Sequence, residues 1–177
     1  IFDKAAAEER EVLMKTSLLP RITSPGAEAV TGNPSAIRYI EGLHRRHVFT
    51  DRTLGDEPSF QYHALFRAFL ANRARSALPA EEWRGASLRG ARYLESRELV
   101  EEAFAMYLES EDWAAAETLF ISSASRLIAQ GRWLTVDAWG RALPAERVSR
   151  NPRLRYWLGR SKEYAEPSAA LPWIKSA

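Results

Sequence analysis

Cysteine is absent from this sequence of 177 residues, which excludes disulfide bonds and metal sites built on thiolates. The absence fits a reducing compartment, so we expect a cytoplasmic protein. No apolar run approaches the ~18 residues that a membrane-spanning helix requires. Residues 1–4 lead into a charged stretch that does not resemble a signal peptide, so we expect no contact with a membrane. Because the chain does not begin with methionine, we expect it to be a segment of a longer protein.

Glycine is sparse and scattered along the chain. The nine glycines nowhere form the Gly-x-x-x-x-Gly-Lys-Ser/Thr pattern, in which backbone amides hold the phosphates of a nucleotide. No general acid–base pair stands out, and no serine lies in a Gly-x-Ser-x-Gly turn. We therefore expect that this segment has no catalytic residues, is not an enzyme and holds no cofactor of its own.

Charge and histidine, the usual carriers of nucleic-acid and metal binding, are both limited. Lys and Arg total 25 against 23 Asp and Glu, so the net charge is only +2. Long-range attraction to nucleic acid should be weak unless these charges are segregated on one face. His44 and His47 are spaced i, i+3, but no third ligand is obvious, so we expect no metal site.

The first half of the chain has the element order of a winged helix. Hydrophobic periodicity, with proline and glycine at the boundaries, predicts three short helices and then a β-hairpin. The predicted helices cover 5–19, Pro25 to Gly32 and Pro34 to about His47, and the predicted strands cover 48–54 and 59–63. A helix from Ala64 to Leu78 follows the hairpin. Because three helices and a hairpin make a winged-helix unit, we predict such a domain over residues 1–78.

His63 lies at the junction between the second strand and the next helix. The strand period should turn Phe60 and Tyr62 to one side and His63 to the other. A helical apolar face follows, made of Leu65, Phe66, Phe69 and Leu70. Free N–H groups in the first turn of a helix attract anions, so the histidine could contact a phosphate. The alternative is a partly buried side chain bonded to nearby backbone.

The second half of the chain, residues 79–177, shows no strand signal. Proline and glycine separate helices of ten to eighteen residues by short turns, and a last helix is predicted to open at Glu166-Pro167. Alanines at the expected contacts and large tryptophans between them suggest tetratricopeptide-like (TPR-like) packing. We therefore predict a mainly α chain: a winged-helix domain with a β-hairpin wing, followed by TPR-like antiparallel α-hairpins that form a helical arm.

The third predicted helix carries Arg38, Arg45 and Arg46, and in a DNA-binding winged helix it would be the recognition helix. Glu41 lies in the middle of this helix, and the predicted wing is acidic. We therefore interpret the arginines as a solvated or interdomain face, with a DNA surface as the alternative.

Several segments of the sequence resemble a known family in the same order along nearly the whole chain. They are Val12–Leu19, Ala29–Gly32, Ile40–Phe49, Tyr62–Leu70, Asp112–Ala116, Leu143-Pro144 and Pro152–Gly159. With these segments the chain resembles the large, ATP-dependent LuxR-type transcriptional activators related to the activator of the maltose regulon. These belong to the STAND class of signal-transduction NTPases. The Tyr62–Leu70 segment is the most specific of the matches.

The resemblance implies a place for this chain within a parent protein. In such activators a P-loop NTPase module precedes a winged helix, a helical arm, a sensor and a C-terminal DNA-binding helix-turn-helix. The parent would bind ATP or ADP and self-associate. In STAND proteins a winged-helix histidine contacts the β-phosphate of ADP and holds the inactive state, and this role would carry over to His63. The acid and methionine that flank that histidine are replaced here by Ala64 and Tyr62, so no role of the acid carries over.

The resemblance therefore implies a regulatory and coupling segment, which relays nucleotide and effector state between the NTPase module and the sensor. Two alternatives stay open from the sequence. The winged helix could bind DNA directly with the helical part as a dimerisation module, or the helical part could be a protein-interaction scaffold.

Overall fold

The computed structural model describes residues 2, 5–53, 55 and 57–165. Its elements in chain order are α1 (Ala7–Thr16), α2 (Ser24–Thr31), α3 (Ile37–Arg45), β1 (Thr50–Thr53), β2 (Ser59–Tyr62), α4 (Ala64–Ala77), α5 (Ala80–Ser96), α6 (Val100–Glu109), α7 (Trp113–Ala129), α8 (Trp133–Ala142), α9 (Ala145–Arg150) and α10 (Pro152–Ala165). The predicted mainly α architecture and element order are confirmed, and the helix predicted to open at Glu166 lies outside the described residues. None of the described helices is both long and apolar enough to cross a membrane.

Several predicted boundaries were too wide, because turns intervene at the ends of the elements. The helix predicted over 5–19 ends at Thr16, where tight turns take over the backbone hydrogen bonds. The helix predicted to reach His47 ends at Arg45, and His47 has a positive φ of 54°. Phe49 also has a positive φ, 46°, so the first strand begins at Thr50 rather than at residue 48.

The β-hairpin pairs Thr50 with Tyr62 and Thr53 with Ser59 in antiparallel register. A third segment joins this sheet through one residue. The Ile22 N–H donates to the carbonyl of Phe60 at 2.7 Å, and the Phe60 N–H donates to that of Ile22 at 2.8 Å. This bridge attaches the segment before α2 to the hairpin. Because a single residue forms it, no hydrophobic periodicity in the sequence could have predicted it.

The core of the winged helix lies between α1, α2, α3 and the hairpin. Its fully buried side chains include Leu13, Leu19, Ile22, Val30, Ile40, Leu43 and Leu70. Phe60 and Tyr62 are buried and Gln61 is exposed, as the strand period predicted. The Tyr62 hydroxyl hydrogen-bonds the Thr16 hydroxyl at 2.8 Å, and burial raises the pKa of this phenol.

The chain forms two compact units, Ile1–Ser110 and Glu111–Ala177. The first contains the winged helix together with α5 and α6, so it continues past the predicted domain boundary at residue 78. Helix α5 explains this extension, because its side chains bond the winged helix. Tyr93 hydrogen-bonds Thr23 at 2.6 Å, and Arg89 donates to the carbonyls of Ala29 and Val30 at 2.8 and 2.9 Å. These carbonyls belong to the last turn of α2, where the intrahelical donors run out.

The second unit is helical throughout its described part, from α7 to α10. Asp112 caps α7 by accepting a hydrogen bond from the Ala115 N–H at 3.1 Å. Gly140 of α8 faces Leu158 of α10, and a Cβ at position 140 would lie only 2.1 Å from a Leu158 methyl carbon. These two helices therefore approach each other closely because residue 140 has no side chain.

Lys15 of α1 is the most unusual core residue of the first unit. Its side chain is 5% exposed, and its ammonium donates to Glu11 at 2.6 Å and to Glu82 of α5 at 2.5 Å. Burial by itself lowers the pKa of Lys15, but the two carboxylates outweigh burial and the pKa is raised. The hydrogen bond from Lys15 in turn lowers the pKa of Glu82. Lys15 thus keeps both of its carboxylate partners only if α5 keeps its position against α1.

Replacing Glu82 with Gln should lower the free energy of unfolding by about 1 kcal/mol at pH 7, because it removes a charged partner of a buried ammonium. The folded-state pKa of Glu82 lies below its ordinary value of 4.5. Its contribution is therefore present above that pH and is lost as the pH falls through the folded-state pKa. Urea unfolding followed by circular dichroism should show the difference between wild type and E82Q shrinking in acid.

Glu81 provides the matched control, because it neighbours Glu82 on α5 but its side chain is 85% exposed and pairs with Arg84 at 3.3 Å. Glu81→Gln should change the free energy of unfolding by less than about 0.5 kcal/mol. Equal effects of E81Q and E82Q, or an E82Q effect that persists in acid, would contradict the role assigned to the Lys15–Glu82 pair.

Candidate functional site

His63 is the residue immediately before the first turn of α4, with φ −56° and ψ 142°. Its N–H donates to the carbonyl of Phe49 at 2.9 Å, and its own carbonyl accepts from the Arg67 N–H at 2.9 Å. The backbone on both sides of the histidine is therefore hydrogen-bonded, which fixes where the imidazole leaves the chain.

The imidazole of His63 lies at the surface. Its side chain is 49% exposed, and Nε2 lies 3.3 Å from a carboxylate oxygen of Asp51, which is 77% exposed. The ring stands edge-on to Phe49, with a centroid distance of 6.1 Å. The ring is therefore partly exposed and pairs with a carboxylate side chain.

The N-terminus of α4 opens beside this ring. In the described part of the chain no side chain caps this helix end. The N–H groups of Ala64, Leu65 and Phe66 belong to the first turn, where an α-helix supplies no acceptor. Such groups carry partial positive charge and suit an anion.

The apolar face predicted for α4 is divided. Leu70 is fully buried, but Leu65 is 88% and Phe69 is 44% exposed, so only part of this face contributes to the core. The reason is that α4 packs on the unit through Arg67, Leu70 and Ala74, a different i, i+3, i+7 stripe. Of the other large apolar residues in the first two turns, Leu65 and Phe69 are exposed, and Phe66 is half-buried against Tyr62.

We call the surface formed by Phe49, Leu65, Phe66 and Phe69 the His63 shelf. Phe66 lies at its centre, with ring centroids 5.3 Å from Phe49 and 6.3 Å from Phe69. Together with His63 and Ala64, the shelf lines a cleft of about 510 Å³. An apolar surface next to an exposed imidazole and an uncapped helix end can contact another protein and an anion at one place.

The other polar residues of the Tyr62–Leu70 segment are structural. Arg67 donates to the carbonyls of Ser17 and Leu18 at 2.9 and 3.2 Å, just after the end of α1. Burial lowers the pKa of this guanidinium. Tyr62 points into the core, as described above. Within this segment, His63 is the side chain that combines exposure with hydrogen-bonding chemistry.

The predicted arginine face consists of Arg38 and Arg45 of α3 and of Arg46, which follows the helix. Arg46 pairs with Glu9 of α1 at 3.1 Å and also donates to the carbonyl of Gly42. Arg38 and Arg45 are exposed, and so is Glu41 between them. The predicted cationic face therefore exists at the surface, but one of its three arginines is already neutralised.

The histidines of α3 do not come together with other ligands. His44 is half-buried, with Nδ1 3.2 Å from the carbonyl of Thr50 and its ring edge-on to Phe60. His47 is exposed at the left-handed turn after α3. Within residues 5–53, 55 and 57–165, no group of three or more His, Cys, Asp or Glu side chains could hold a metal ion.

Sequence reasoning missed two members of this site. Asp51 lies on β1 and meets His63 across the strand end, a contact that the hairpin register decides. Phe49 was assigned to a strand, but its left-handed backbone turns it onto the shelf. An aromatic residue and an acidic residue within a predicted strand are too common to have identified either contact.

Residues 1–82 match a family model described as the MalT winged helix domain. The chain is 30% identical over 82 residues to the HTH-type transcriptional regulator MalT of Vibrio cholerae serotype O1, a stretch that covers 46% of this chain and 9% of that relative. It is 26% identical over 181 residues to the regulator of the same name from Serratia proteamaculans, which covers 100% of this chain and 20% of that relative.

These comparisons confirm the resemblance to maltose-regulon-type activators, at modest identity. The chain spans no more than about a fifth of the length of the relatives described. The similarity supports a regulatory role within a multidomain transcription regulator.

Two leucines of α4 test the division between the His63 shelf and the core. Leu70→Ala should lower the free energy of unfolding by about 2–5 kcal/mol, because it leaves a cavity in the core. Leu65→Ala, the same chemical change on the same helix, should change it by less than about 0.5 kcal/mol. Chemical denaturation of both variants measures the difference. Comparable losses would show that Leu65 is covered in solution and that the shelf is not a free surface.

Proposed function

We propose that this chain is the regulatory and coupling segment of a multidomain, ATP-dependent transcriptional regulator of the LuxR type and STAND class. It relays nucleotide and effector state between an NTPase module and a sensor of the same protein. The observation that carries the proposal is the exposed His63 on an apolar shelf at the uncapped N-terminus of α4, in a domain that matches a regulator's winged helix.

The proposed contact of His63 is a hydrogen bond to the β-phosphate of ADP held by the NTPase module. A protonated imidazole donates from both ring nitrogens, and a neutral one donates from a single nitrogen. With Nε2 donating to Asp51, Nδ1 can donate to the phosphate when the ring is protonated. Alternatively, the phosphate replaces Asp51 as the acceptor. The first-turn N–H groups of α4 add donors on the same side.

The His63 shelf is the proposed contact surface for the NTPase module. Exposed apolar patches on an otherwise polar surface indicate protein contacts. The shelf surrounds the histidine, so a module docked on it would cover Leu65 and Phe69 and bring its nucleotide to the imidazole. ADP then holds the two domains together, and nucleotide exchange releases them and favours an open, self-associating form.

Helix α5 is the proposed route from this contact to the rest of the protein. It is bonded to the winged helix through Glu82, Arg89 and Tyr93, so a displacement of the winged helix carries α5 with it. The segment itself would carry out no chemistry. DNA binding would belong to a separate C-terminal domain of the parent protein.

Replacing His63 with Ala in the full-length parent should weaken ADP retention and raise transcription in the absence of inducer, because the bond that favours the closed state is lost. We expect ADP to dissociate about ten-fold faster, as for the loss of one charge-assisted hydrogen bond. Release of a labelled nucleotide and a reporter assay measure the two effects. His47→Ala, another exposed histidine of this domain, is the control. Unchanged ADP release together with unchanged basal transcription in H63A would disprove the sensor role.

The affinity of the chain for duplex DNA tests the alternative, in which the winged helix binds DNA directly. We expect little affinity for a labelled random duplex in fluorescence anisotropy, because Glu9 neutralises Arg46 and the net charge is only +2. Tight binding that collapses steeply between low and near-physiological salt, and that Arg38→Gln and Arg45→Gln weaken, would instead support a DNA-reading winged helix with a helical dimerisation module. Deletion of the NTPase module from the parent protein distinguishes the coupling role from a plain interaction scaffold. Loss of regulation in this deletion variant would favour the coupling role.

A further inference from the structure

The second compact unit contains a cavity of about 530 Å³ between α8, α9 and α10. This volume falls in the range of about 300–1,000 Å³ that small-molecule sites occupy. Helices of the arm line the cavity, and none of the residues discussed for nucleotide sensing is among the lining residues. Ligand binding in this cavity would therefore not depend on the proposed role of His63.

The walls of the cavity are largely apolar. Leu143, Val148 and Leu158 line it and are themselves buried, at 4%, 8% and 4% exposure. Ala145 contributes from the exposed side of the short helix α9. Such walls gain from contact with an apolar ligand body, because that contact removes hydrocarbon surface from water.

One end of the cavity is cationic. Arg155 of α10 is half-buried there, and its Nε is shielded from solvent without an acceptor among the described residues. A buried donor without an acceptor is unfavourable, so an anionic oxygen at this place would be stabilising. Lys162, two turns further along the same face of α10, also lines the cavity.

Two further charges of the lining offset each other. Arg141 hydrogen-bonds Asp137 one turn away on α8, so this pair adds no net charge. The guanidinium of Arg155 presents a planar fork that matches the two oxygens of a carboxylate. The buried Nε of Arg155, which has no acceptor among the described residues, therefore suits one carboxylate between apolar walls.

We propose that this cavity binds a small monocarboxylate with an apolar body. Arg155 holds the carboxylate, and Leu143, Val148 and Leu158 contact the hydrocarbon part. A ligand bound there would stabilise the arrangement of α8, α9 and α10, and so would give the helical arm a chemical input of its own.

Octanoate is the probe, titrated into the intact chain by isothermal calorimetry. We expect one site, with binding to octanoate at least about ten-fold tighter than to octanol, which lacks the charge. Acetate, which lacks the hydrocarbon, should bind far more weakly. Arg155→Met keeps the length of the side chain and should remove the preference for octanoate over octanol. Arg153→Met, on the exposed side of α10, is the matched control and should retain it.

A second variant keeps the test decisive if the Arg155 change disturbs folding, which circular dichroism reports. Ala145→Trp places a large side chain at the exposed rim of the cavity and should abolish binding of both octanoate and octanol. Equal affinity for octanoate and octanol in the unmodified chain would overturn the proposal. So would octanoate binding that survives both Arg155→Met and Ala145→Trp, or the absence of binding at millimolar octanoate.

Discussion

The first unit depends on the compensation of one buried charge. Lys15 could not lose its water without acceptors, and it finds them in Glu11 on its own helix and in Glu82 on α5. This requirement fixes α5 against α1, and the bonds of Arg89 and Tyr93 fix it against α2. The winged helix is thereby extended into a compact unit that reaches Ser110. Any signal that moves the winged helix must therefore move α5 as well.

At the strand-to-helix junction, neighbouring side chains point in opposite directions, into the core and out to solvent. Tyr62 turns inward and bonds Thr16, whereas the next residue, His63, turns outward to Asp51. The backbone of His63 is hydrogen-bonded on both sides, which fixes the position from which the imidazole projects. Arg67 then secures α4 to the end of α1. The same segment thus builds the core and presents the proposed nucleotide sensor.

The two candidate binding regions differ in what they offer. The His63 shelf is an open apolar surface with one imidazole, suited to a protein that brings its own nucleotide. The cavity beside Arg155 combines apolar walls with a cation, suited to a small molecule. They lie in different compact units, so the proposed nucleotide contact and the proposed ligand site would be separate inputs.

The sequence by itself determined the order of the elements, because helical and strand periods are local and because glycine and proline mark their ends. It also determined that His63 follows a strand and precedes a helix, and that Tyr62 faces the other way. It could not determine that Leu65 and Phe69 are exposed, because a period shows that a helix has an apolar face but not which part of it a neighbour covers. The Ile22–Phe60 bridge, the Lys15–Glu82 pair and the Asp51–His63 contact likewise join residues far apart in the chain. Only the tertiary structure decided these, because such pairs form where independent elements meet and leave no local pattern in the sequence.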